Sequence, residues 1–227
     1  MLGTIHWRTA RGVAALSLLM AGGAALAMLP GARRLPRYER TAVDGVVDLD
    51  DAVRACRLSG LDGWALVTFA QQLTARKFTL YSALNLWDSP ARAFCYGMGY
   101  CTQYNLALKQ LLDRLGFQTQ AVFALRARFL DKESWQMGHT WVRVTIAGET
   151  RDVCAGRVSN EAGKLNFVPV SRVFNGGAIT LFLTHVGMIA FCGFLGWKAL
   201  LTQTLPPAWM LEERGLAADR GSVPEEI

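Results

Sequence analysis

Cys101, His139 and Asp152, in that order along the chain, are the residues whose types and spacing could do chemistry together. A thiol is a poor nucleophile until a base takes its proton, and an imidazole serves better when a third group fixes its ring. Cys101 is the candidate nucleophile, His139 the base and Asp152 the orienting acid. Elimination supports the choice of base. Of the three histidines, His6 lies in a basic N-terminal leader and His185 in a long apolar run. His139 is the one placed for general-base work in the polar part of the chain. The five cysteines are Cys56, Cys95, Cys101, Cys154 and Cys192; the odd number leaves at least one unpaired, and no pair has the C-x-x-C spacing of a zinc or redox site. Cys95 lies in the same glycine-rich stretch as Cys101, and a disulfide between them would consume the nucleophile. No spacing calls for a metal or an organic cofactor.

The elements that must position these residues are legible from pattern. Asp48 or Asp50 caps an entry helix within 46–56, and 64–78 reads as a second helix with Leu66, Phe69, Ala70 and Leu73 on one face. Residues 84–90 read as a loop ended by Ser89-Pro90. In 94–101, Gly97 and Gly99 let the backbone turn before a helix that starts near Cys101. Tyr104, Leu108, Leu111, Leu112 and Leu115 form its apolar stripe and Gly116 ends it. A cysteine at a helix start meets the positive end of the helix dipole, and the N–H groups there can hold an oxyanion. A strand lies within 119–129, a polar loop over 131–138, and His139 opens a second strand with strict alternation. Ala147-Gly148 turns the chain into a third strand carrying Asp152, and 167–174 holds another.

That turn sets a condition on the acid. If Ala147-Gly148 is a tight two-residue turn, Ile146 pairs with Glu149 and Asp152 lies opposite Arg143. Asp152 is then four residues along the sheet from His139, roughly 13 Å away at 3.3 Å per residue. A triad with Asp152 then requires a bulge, a longer loop or a shifted register.

The chain is 52% hydrophobic and 19% charged, more apolar than an ordinary soluble domain. The surplus sits in two charge-free runs, 12–32 and 173–197. Each reaches the roughly 20 apolar residues that a membrane-crossing helix needs. The first is a cleaved signal peptide or an N-terminal anchor; the second is a membrane helix or a buried core helix. Net charge is +6, concentrated at Arg33, Arg34, Arg37 and Arg40, and a basic cluster beside a span contacts anionic lipid. These cations are not interleaved with aromatics and no recognition helix or finger spacing occurs, which argues against nucleic acid. The expected organisation is 1–32 signal or anchor, 33–45 basic linker, 46–176 catalytic domain, 177–201 transmembrane helix and 202–227 tail. The side of the membrane stays open.

GYCTQYNLALKQLLDRLGFQTQAVFA, then GHTWVRV, then RDV, resembles the core of the transglutaminase-like superfamily, whose fold is related to papain. The likeness is strict over 99–152. It implies an α+β fold in which the helix bearing the cysteine packs on an antiparallel sheet bearing the histidine and the acid. It implies Cys101 as nucleophile, His139 as base and Asp152 as orienting acid. Asn105, four residues after Cys101, is similar to the arylamine N-acetyltransferase branch, which has the same triad; the helical N-terminal domain of that family has no obvious counterpart here. The expected function is membrane-associated acyl transfer from, or hydrolysis of, a peptide or protein amide through a thioester. The alternatives are an arylamine N-acetyltransferase-like enzyme and a non-catalytic binding module. Trp141 and Tyr100 are candidates for the acyl pocket wall or for packing.

Overall fold

The structure, a computed structural model, describes residues 43–130 and 132–213, together with Gly22. The expected span at 1–32, most of the basic linker and the end of the tail lie outside the described residues.

The fold is mixed α+β. Helix α1 (Leu49–Leu58) starts at Asp48, whose carboxylate accepts from the N–H of Asp50 and Asp51 while Asp51 accepts from the N–H of Asp48. This reciprocal cap satisfies donors that the first turn leaves without partners. Helix α2 (Gly63–Lys77) follows, then the short strand β1 (Leu80–Ser82). The segment expected to end as a loop at Pro90 instead starts helix α3 (Pro90–Tyr96). Proline at the first helical position costs no hydrogen bond, and the Ser89 hydroxyl accepts from Arg92 N–H at 3.3 Å. Gly97 closes α3 in the left-handed region at φ 63°. After strand β2 (Met98–Gly99) comes α4 (Cys101–Arg114), the helix expected from Cys101 to Gly116.

Helix α4 packs on the larger sheet, built from β3 (Gln118–Phe129), β4 (Lys132–Ile146), β5 (Glu149–Val153), β6 (Phe167–Pro169) and β7 (Val173–Asn175). Its path is β5-β4-β3-β6, with β7 also on β3, and every pairing is antiparallel. Leu108, Leu111 and Leu112 of α4 are fully buried against Val122, Val142, Val144 and their neighbours. Each such side chain contributes about 1.5–3 kcal/mol.

Two strand expectations are corrected. The polar stretch 131–138 is not a loop: β4 begins at Lys132, and His139 lies within it rather than opening it. Its partner is the far end of β3, where exposed Arg126 and Gln136 bond across strands. The strand expected over 167–174 is two short ones, paired with either side of a register shift between Ala124 and Ala127 of β3. The turn at Ala147-Gly148 is tight, with φ of 50° and 85°, and Ile146 pairs with Glu149. Positive φ at both turn positions matches the twist of the flanking strands.

A second sheet, order β2-β1-β8, adds β8 (Leu211–Glu213). Helix α5 (Ala178–Leu201) matches the expected 177–201 element and is long and apolar enough to cross a membrane. One side of it lies along the domain. Ile189 and Cys192 pack with Ala83, Leu86, Tyr100 and Met210. Elsewhere along the helix Ile179, Phe182, Phe194 and Leu201 are exposed.

Candidate thiol active site

Cys101 is the first residue of α4, and the turn before it is held from within the helix. The Gln103 side chain accepts from Tyr100 N–H at 3.2 Å and donates to the carbonyls of Asn85 and Asp88, both at 2.9 Å. A Cβ at Gly99 would lie 2.8 Å from Gln103 Oε1, so this arrangement requires glycine at position 99. The helix start is thereby tied to the loop after β1 and has little freedom to shift.

Cys101 carries a thiol rather than a disulfide and touches both hydrophobic clusters of the molecule. Burial pushes its pKa up; backbone N–H of Thr140, the Thr102 hydroxyl and the N–H of Thr102 pull against this by holding the thiolate. Burial wins, so the resting group is a neutral thiol in a nest of donors. Thr102 and Thr140 hydroxyls also bond to each other at 3.1 Å. Neither threonine was singled out from sequence, since hydroxyls on a helix start and a strand carry no distinctive spacing.

His139 is buried on β4, one residue before Thr140. Its ring packs against Phe129, Phe167 and Trp141, with centroids 5.2, 4.6 and 6.4 Å away. Nε2 lies 3.3 Å from Sγ of Cys154. The Cys154 sulfur also accepts from Asn105 Nδ2 at 3.4 Å and Gly156 N–H at 3.3 Å. Two donors aimed at one sulfur favour its acting as an acceptor toward the ring, the role a carboxylate plays in a triad. A Cβ at Gly156 would meet that sulfur at 3.1 Å, so glycine permits the close approach.

Asp152 is elsewhere. It pairs with Arg143 across β4 and β5, and the two side chains form an ion pair with Nε–Oδ1 at 2.9 Å. This corrects its expected place beside His139: the two-residue turn fixes the register, and Cys154 is the residue that reaches the ring.

Asn105 joins the two halves of the site. Fully buried one turn into α4, it donates to Thr140 carbonyl at 2.6 Å and to Cys154 Sγ, and its Oδ1 accepts from Ala155 N–H at 3.0 Å. The helix carrying Cys101 is thus bonded to the strand carrying His139 and to the segment carrying Cys154. Tyr100, a candidate wall residue, lines a cavity with Cys101, and its hydroxyl lies 2.7 Å from His185 Nδ1 on α5. Trp141 is buried in the core beside His139 and is a packing residue.

Among curated proteins none matches the chain. Residues 97–158 match the N-acetyltransferase family, and that segment, well under half of the chain, contains Cys101, Asn105, His139, Asp152 and Cys154. The chain is similar there to enzymes of cysteine-based acyl transfer.

Proposed function

We propose that the chain is a cysteine-dependent acyltransferase of the arylamine N-acetyltransferase type, acting through Cys101 and His139. The observation that carries this is the family match over 97–158, together with a thiol at a helix start inside a ring of N–H and O–H donors. In this reading His139 takes the proton as Cys101 sulfur attacks the acyl carbonyl carbon. The donor's carbon–heteroatom bond breaks, and the leaving group departs with the proton from His139. An amine then attacks the thioester, returns the thiol and carries the acyl group away as an amide. The family match favours an amine acceptor over the hydrolysis or protein cross-linking that the transglutaminase likeness implies. Cys154 orients the ring in place of an acid. Association with lipid through α5 is part of the proposal and rests on the apolar length of that helix.

The test is acylation of the purified full chain by p-nitrophenyl acetate, read by intact mass and peptide mapping. The expected adduct sits on Cys101 and is absent from Cys101→Ser. In His139→Ala it forms about 10²–10⁴-fold more slowly. An adduct that forms equally fast without His139, or none at Cys101, overturns the reading.

A second reading, a non-catalytic binding module, is favoured by one observation: a thiol stands in the acid position and Asp152 is engaged by Arg143. The same experiment separates the two.

A further inference from the structure

Cys101 opens onto a cavity of about 730 Å³ between β3, β4 and α5, far larger than an acetyl group needs. At one end Cys101, Thr102 and Thr140 supply the thiol and the hydroxyls. The walls leading away from it are apolar, with Phe123, Met137 and Met188 among them. Gly187 of α5 faces open space, with nothing within 4 Å of where its Cβ would stand. The rim is largely apolar, with exposed Gln136 its polar member. Leu125, Phe174, Leu183 and Phe191 line the cavity and are also solvent-exposed at 61%, 37%, 61% and 52%. A contiguous exposed apolar patch marks contact with protein or lipid. Phe194, near Leu183 and Phe191 on the same face of α5, is exposed as well, on a helix apolar enough to enter a bilayer.

We infer that the cavity takes the long acyl chain of a membrane lipid, whose carbonyl reaches Cys101 while its tail lies between β3, β4 and α5. This rests on Cys101 being the nucleophile proposed above and extends that reading to the donor. The sulfur attacks the ester carbonyl, the ester C–O bond breaks, the lipid alcohol leaves with the proton held by His139, and a long-chain thioester remains on Cys101. The two-carbon donor above is then a poor mimic of the true one.

The experiment uses the full chain in lipid nanodiscs with a series of acyl thioesters from two to sixteen carbons, and separately with phosphatidylcholine as the only donor. Intact mass reads the Cys101 adduct. Acylation is expected to rise roughly fourfold per added methylene until the cavity is filled, with transfer from phosphatidylcholine as well. In Gly187→Phe, which fills the cavity from α5, the optimum is expected to move to shorter chains. Acylation of Cys101 that is flat or falls with length overturns the inference and leaves the thiol reading standing. If no donor acylates Cys101, the nucleophile reading fails, and a photoactivatable palmitate analogue decides the cavity on its own. Crosslinks to Phe123, Met137 or Met188 that Gly187→Phe abolishes support a chain-binding cavity; crosslinks confined to the outer side of α5 overturn it.

Discussion

At the scale of single residues, the site turns on what faces His139. Cys154 occupies the place of the acid, 3.3 Å from Nε2, and has two further donors on its sulfur. A residue that orients a base acts on rate through that base. Cys154→Ala is therefore expected to slow acylation of Cys101 about 10-fold or more, and to do so in the wild type but not in His139→Ala. Equal slowing in both backgrounds would mean a structural role only. Asp152→Asn gives the opposite expectation. It breaks an ion pair whose partners are each about one-third exposed, so it should cost no more than about 1 kcal/mol in a denaturant melt and leave acylation alone. A loss of acylation as large as that of His139→Ala would restore Asp152 as the acid. Cys101 itself has a pH signature. Because burial raises its pKa, less thiolate exists at any pH than for an ordinary cysteine. Alkylation of the resting protein by iodoacetamide should have its midpoint above about 8.5. A midpoint below that value would reveal a resting thiolate–imidazolium pair.

At the scale of elements, α4 is the part that must not move. Its apolar stripe was legible because Leu108, Leu111 and Leu112 recur at helical spacing, and the structure buries all three. What pins its first turn is Gln103, through one acceptor and two donor bonds. Gln103→Glu keeps the acceptor for Tyr100 N–H but cannot donate, leaving the carbonyls of Asn85 and Asp88 without their amide partner. Thermal unfolding is expected to show a loss of about 2 kcal/mol or more. No change would mean that the helix start is held by packing alone. The turn at Ala147-Gly148 is the other decisive element. Its two residues fix the β4–β5 register, and a shift of one residue would turn every side chain of β5 to the other face.

For the whole molecule, the question is why α5 is apolar on all sides while only one side meets protein. Burial of Ile189 and Cys192 against the small sheet explains its inner side. Phe182, Phe194 and Leu201 are exposed, and the proposed contact with lipid would cover them. The full chain is expected to float with phosphatidylcholine vesicles, and Phe182→Asp with Phe194→Asp to reduce that markedly, since a carboxylate in hydrocarbon is costly. Flotation unaffected by both substitutions would assign membrane contact to another part of the chain.

Local pattern determined α1, α2 and α4, the β4–β5 hairpin, the choice of Cys101 over Cys95 as helix-start thiol, and the length of α5. These follow from spacing within a few turns or along one strand. Asn105 was visible as a likeness but its work was not, because its partners Thr140, Cys154 and Ala155 lie 35 to 50 residues away. The sequence left open whether the β4–β5 turn was tight, which takes Asp152 away from His139, or looser, which brings it back; the structure has the tight turn, with Ile146 opposite Glu149. Only the tertiary structure decided that Asp152 faces Arg143, that β4 begins at Lys132, and that α5 walls the cavity at Cys101. Each depends on contacts between segments distant in the chain, where no local periodicity carries a signal.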